Sequence, residues 1–158
     1  NGGLELNKII DKASVGKYDG SLPSAFQETF RLFKVNKCEL IDDELMEALF
    51  LRINAVGKIP SPAKAQFAIL KMEFYSLRRD LDKTIAALDE AYKYQKTSII
   101  PFLKASAFYS AGLVLDANKS IDLAIRMELK KPRSLRHNLE RYRKFRAEME
   151  SKYQKNGM

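Results

Sequence analysis

Asp80-Leu81-Asp82-Lys83-Thr84-Ile85 and Asp116-Ala117-Asn118-Lys119-Ser120-Ile121 are two versions of one pattern, 36 residues apart. Each opens on a helix-capping carboxylate, carries a small residue where two helices would cross, and sets an apolar residue beside it. That is what the second helix of a packed helical hairpin requires. The same shift pairs Ser61 with Thr97 and Leu77 with Leu113, so each version is preceded by a segment of helical length. A repeat of this period lies in the range of helical solenoids.

The composition agrees with helix throughout. The chain has 158 residues, 46% hydrophobic and 30% charged, which describes one ordinary globular domain with an adequate core. Val and Thr are scarce beside Leu and Ala, and β-branched residues are the ones that favour sheet over helix. An all-α fold is expected, and sheet-rich enzyme folds are not.

Outward from the paired stretch, punctuation divides the chain into about eight helices. Residues 4–13 carry Leu4, Leu6, Ile9 and Ile10; a second helix follows Pro23 with Phe26, Phe30 and Phe33 on one face; a third opens at Asp42-Asp43-Glu44 and ends at Gly57. Ser61-Pro62 reads as an N-cap with Pro in the first turn, ahead of Phe67, Leu70, Phe74 and Leu77. Asp80 caps the next helix, with Ile85, Leu88 and Ala91 inward. Thr97-Ser98 precede Phe102, Ala105, Tyr109 and Gly112, and Asp116 caps Ile121, Ala124 and Ile125. Pro132 breaks the chain before a last helix lined by Leu135, Leu139, Tyr142, Met149 and Tyr153. Short loops make sequential helices antiparallel neighbours. One helical domain, 1–158, is therefore expected, with an N-terminal extension over 1–60, two hairpins over 61–132 and a capping helix and tail over 133–158.

At these residues the chain resembles the tetratricopeptide repeat family. In the second helix of each hairpin that family places a small residue, a large apolar residue four on and Ala three further, an order matched by Thr84, Leu88 and Ala91 and partly by Ser120, Ala124 and Met127. Its first helix prefers a Leu-Gly pair and a Tyr three on. Here the corresponding residues are Lys71-Met72 with Tyr75 and Ala107-Phe108 with Ala111, so Tyr75 alone conforms. The resemblance implies a right-handed stack of antiparallel hairpins and a non-enzymatic scaffold that holds a peptide or partner domain on a concave face. A second resemblance, through Asp42-Asp43-Glu44-Leu45-Met46, Arg52-Ile53 and Ile59-Pro60-Ser61-Pro62, is to soluble tails of bacterial membrane enzymes that polymerise or ligate surface glycans, the O-antigen polymerase and protein O-oligosaccharyltransferase group. It implies an accessory domain of a larger membrane protein. The start Asn1-Gly2-Gly3, without Met, fits a piece of a longer chain. The compartment stays open, cytoplasmic or, under this second resemblance, periplasmic.

Adjacent aromatics on a helix diverge by about 100°, so either Phe74 or Tyr75, and either Phe108 or Tyr109, must face outward or into a groove. Phe102, Ala105, Tyr109 and Gly112, with Ile69 and Glu73 on the preceding hairpin, are the candidate partner-binding residues. The rival reading of Tyr109 is contact with a flanking hairpin.

The charge is local. Ten Lys or Arg against four Glu lie between 128 and 158, and this stretch supplies +6 of the net +8. Arg133, Arg136, Arg141, Arg143, Lys144 and Arg146 read as a basic patch on the last helix, a footprint that could attract nucleic acid, anionic lipid headgroups or an acidic partner. The plainer reading is the polar outer face of a terminal cap, with Arg136, Glu140 and Lys144 paired at four-residue spacing. For catalysis the inventory is thin. His137 is the one histidine, Cys38 the one cysteine, and no phosphate-cradling glycine loop or metal-ligand spacing occurs, so no enzyme, cofactor or metal is expected. The oligomeric state is open.

Overall fold

The computed structural model describes residues 60–156, together with Glu47, Phe50 and Leu51, which are helical. Among the described residues are five α-helices, one 3-10 turn and no strand. They are α1 (Ser61–Leu77), α2 (Leu81–Tyr94), α3 (Ile99–Ser110), α4 (Val114–Leu129), the 3-10 turn Arg133–Leu135, and α5 (Leu139–Asn156). Over the described residues the all-α expectation holds. The expected helices over 4–13 and after Pro23, the cap at Asp42-Asp43-Glu44 and the cysteine Cys38 lie outside the described residues.

Three helix starts show what the backbone does with the local signals. Asp80 caps α2 as expected: its Oδ1 accepts from the Lys83 N–H at 3.1 Å, and the Thr84 hydroxyl donates to the Asp80 carbonyl at 2.6 Å. Ser61, expected as the cap of α1, is instead its first residue and makes no capping bond. The Lys64 N–H is already taken by the Pro60 carbonyl at 3.0 Å, which starts the helix one residue earlier. Asp116, expected as the cap of α4, is the third residue of that helix. Leu113 holds the N-cap position with no side-chain bond, while the Asp116 carboxylate sits in the first turn, where the helix dipole favours it.

The slip at Asp116 changes the register of the repeat from 36 residues to 33. Arg78, Arg79 and Asp80 close α1 with a Schellman turn, in which the Arg79 N–H donates to the Ser76 carbonyl and the Asp80 N–H to the Tyr75 carbonyl, both at 3.0 Å. Ala111, Gly112 and Leu113 repeat it on α3, Gly112 N–H to Tyr109 carbonyl at 3.0 Å and Leu113 N–H to Phe108 carbonyl at 2.9 Å. Arg79 (φ 57°) and Gly112 (φ 78°) are the left-handed residues of the two turns. In this register the buried positions coincide: Phe67 with Ile100, Met72 with Ala105, Thr84 with Ala117, Leu88 with Ile121 and Ala91 with Ala124.

Helices pack mainly on their neighbours in the chain, α1 on α2, α2 on α3, α3 on α4 and α4 on α5. Two cores result. One joins α1, α2 and α3 through Ala68, Met72, Ala87, Leu88, Ala91 and Ile100. The other joins α3, α4 and α5 around Phe102, Ala105, Ile121, Ala124, Tyr142 and Met149. Alanines at the crossings let the backbones approach, and each fully buried Leu or Ile, such as Leu88 and Ile121, contributes about 1.5–3 kcal/mol.

The last helix is shorter than expected. Pro132 does end α4, but Arg133 belongs to the 3-10 turn and Arg136 precedes α5, so neither lies on the terminal helix. The cause is visible in Arg136, whose guanidinium donates to the Lys131 and Leu129 carbonyls, both at 2.8 Å, satisfying the open end of α4 rather than extending α5. The expected pairing of Arg136 with Glu140 on one helix face therefore has no basis. Of the expected lining, Tyr142 and Met149 are buried, whereas Leu135 and Tyr153 are exposed.

Candidate functional site

A cleft of about 530 Å³ opens where the two turns approach each other, between the C-terminal end of α1, the start of α2 and one face of α3. Its volume is in the range of about 300–1,000 Å³ that holds small ligands and side chains. Met72, Leu81 and Leu103 supply apolar surface, and Ser76, Ser106 and Ser110 supply hydroxyls. Each hydroxyl both donates and accepts. Among the described residues Arg79 is the one charged residue in the lining. It belongs to the turn that closes α1, which forms part of the cleft wall. Among the described residues its side chain has no carboxylate partner, in contrast to Lys71 with Glu90 (3.1 Å), Lys104 with Asp89 (2.7 Å) and Arg146 with Asp122 (3.1 Å).

The residues expected to line a concave surface are divided by the structure. Phe102 and Ala105 are buried in the second core. The Phe102 ring stacks on Tyr142 at 4.9 Å, and the Arg141 guanidinium lies 4.7 Å from its centroid. Tyr109 is half-buried and meets the edge of Phe145 at 5.9 Å, with Lys152 6.0 Å from its ring, so α5 occupies the space over this face. Contact with a flanking element is the arrangement observed for Tyr109. Gly112 is exposed in its turn, Ile69 packs against the first core, and Glu73 is half-buried on α1. None of the six lines the cleft. Of the other aromatic pair, Phe74 is buried, and half-buried Tyr75 donates to Glu47 Oε1 at 3.4 Å. Burial first, then the Glu47 charge, raises the Tyr75 pKa.

The basic stretch is likewise dispersed. Arg136 caps α4, Arg141 covers Phe102 and Arg146 pairs with Asp122. Arg133, Arg143 and Lys144 are exposed. Half of the expected patch is thus engaged within the fold, Arg136 at the end of α4 and Arg141 and Arg146 where α5 packs.

One polar cluster left no trace in the sequence pattern. Glu128 of α4 is fully buried; its Oε1 accepts from the Ser98 hydroxyl and from Lys131 Nζ at 2.7 Å, and Ser98 Oγ lies 3.1 Å from the Tyr142 hydroxyl. Among the described residues Oε2 has no partner at hydrogen-bond geometry. Burial opposes ionisation of this carboxyl, but the hydrogen bonds from Lys131 and Ser98, with the Lys131 charge, outweigh it and hold the pKa below the usual carboxylate range. Burial pushes the Tyr142 hydroxyl pKa up. The four residues span positions 98 to 142 and join α3, α4 and α5. They form a structural latch.

Among the described residues no group of His, Cys, Asp and Glu could hold a metal ion, and no helix is long and apolar enough to cross a membrane. No family model matches the chain, and no curated protein or solved structure matches it.

Proposed function

We propose that residues 61–132 form a right-handed stack of two tetratricopeptide-like hairpins closed by α5, and that the chain is a non-enzymatic interaction module. The observation that carries this reading is the recurrence, 33 residues apart, of one buried order ending in the same turn geometry. In the 33-residue register, Thr84, Leu88 and Ala91 are matched by Ala117, Ile121 and Ala124, all buried. That is the small, large, Ala order of the tetratricopeptide second helix, kept in both copies. The first helices improve as well, with Tyr75 and Phe108 both supplying an aromatic residue at the expected place. The period is one residue from the 34 typical of that family.

The cleft at the turns is the surface on which such a module would hold an extended peptide. Its walls come from three packed helices, so little order is lost on binding. The test is a random dodecapeptide library displayed on phage, selected on the wild-type chain and on Ser110→Trp. Ser110 is exposed and ends α3, so the indole blocks the cleft without entering a core, and circular dichroism verifies the helix content. Peptides that bind the wild-type chain and lose at least about tenfold on Ser110→Trp are expected, roughly 1.4 kcal/mol of contact. Recovery of no peptide, or of peptides indifferent to Ser110→Trp, overturns the reading.

A further inference from the structure

We infer that the cleft is selective for a peptide segment bearing an Asp or Glu side chain, whose carboxylate meets Arg79 while a neighbouring apolar side chain rests on Met72 and Leu103. The inference deepens the proposed module and rests on it.

Charge gives the first reason. Arg79 is the sole ionic group in the lining and has no carboxylate partner among the described residues. A guanidinium presents a planar fork of donors that fits a carboxylate with two parallel hydrogen bonds, which a hydroxyl or amide cannot reproduce. Ser76, Ser106 and Ser110 stand around it as donors and acceptors for a peptide backbone.

Backbone conformation gives an independent reason. At φ 57° a side chain with a Cβ is strained, by roughly 1–2 kcal/mol. The twin turn carries Gly112 at the same place, so this fold accommodates glycine there and is easier to form with it. Among the described residues no side-chain hydrogen bond or ion pair of Arg79 offsets that strain. An outlier of this kind points to a use for the side chain that lies outside the folded chain itself, and Arg79 is one of the residues that line the cleft.

Arg79→Gly separates binding from folding, because it removes the guanidinium and relieves the backbone. The phage library selected on the wild-type chain should be enriched in Asp and Glu, and the enrichment should vanish on Arg79→Gly. An individual acidic peptide should bind Arg79→Gly about tenfold more weakly than the wild-type chain, and its Glu→Gln version should bind both alike. Raising salt should weaken the wild-type complex and leave the variant's binding unchanged. Peptides that depend on Ser110 but show no acidic enrichment, or that bind Arg79→Gly as tightly as wild type, overturn the inference while the module stands. Recovery of no peptide at all overturns both.

Discussion

Residues 78–80 and 111–113 turn the chain through the same pair of hydrogen bonds, and each is well made where the other is not. The first turn ends in Asp80, which caps α2, but its left-handed position is filled by Arg79. The second has Gly112 at the left-handed position, but ends in Leu113, which caps nothing and is 42% exposed. A sequence with either turn doubled would be a more regular repeat. That the two differ while the buried positions of the hairpins coincide teaches that the hairpin is specified by its buried face, and that the turn tolerates a deficit of about 1 kcal/mol at either point. The hairpins also differ in what covers them. The first core is closed by Ile100 of α3, an apolar contact, whereas the second is closed by α5 through an aromatic stack and the Glu128 latch.

Substitution in the latch should separate the hairpins most strongly. Tyr142→Ala removes a fully buried ring that stacks on Phe102 and leaves Ser98 short of a partner, and should cost about 3–5 kcal/mol in urea denaturation. Hydrogen exchange should place the loss in α3, α4 and α5 and spare the α1–α2 contact. Equal loss in both hairpins would break the distinction.

Glu128→Gln should cost about 1–3 kcal/mol at neutral pH, by weakening the charged bond to Lys131 in a buried setting. Its signature is in the pH dependence. The folded-state pKa lies below that of the unfolded chain, so on acidification the unfolded chain takes up the proton first. The contribution of Glu128 is then complete above the usual carboxylate range and is lost as pH falls through the folded-state value. Denaturation midpoints of Glu128→Gln should be flatter across that acid range than those of wild type.

The smallest effects concern the turns themselves and should have opposite signs. A Cβ at Gly112 meets nothing within 4 Å, so Gly112→Ala measures backbone strain alone and should lose about 1 kcal/mol. Arg79→Gly should gain about 0.5 kcal/mol, the relief of strain being partly offset by the freer unfolded chain. Thermal melts of the two variants sharpen the comparison, and a loss in both would refute the equivalence of the turns.

Much of the helical order was legible because its signals are local. Asp80 capped what it should cap, and Pro132 broke the chain where a missing N–H requires a break. The register was not legible from matching residues. Leu77, Asp80, Lys83 and Ile85 recur after 36 residues, while Leu70, Lys71, Asp89 and Ala91 recur after 33, four identities either way. A carboxylate looks like a cap whether it stands before a helix or in its first turn, and Asp116 does the latter. The deciding signal was Gly112, a glycine directly after a helical run, which marks a helix end more firmly than Asp116 marks a beginning. The latch had no such signal, since Ser98, Glu128 and Tyr142 are brought together only by packing. The cleft could be read only in part: Arg79 and the serines are unremarkable in sequence, and only the packing of α1, α2 and α3 brings them to one cleft.

Contact between chain neighbours also governs how the molecule comes into being. With three or four residues between successive helices up to α4, and partners close in sequence, the entropy lost in closing each of these contacts is small. The first hairpin can begin to close while a ribosome is still adding the second, and Ile100, arriving next, completes its core before α5 has been made.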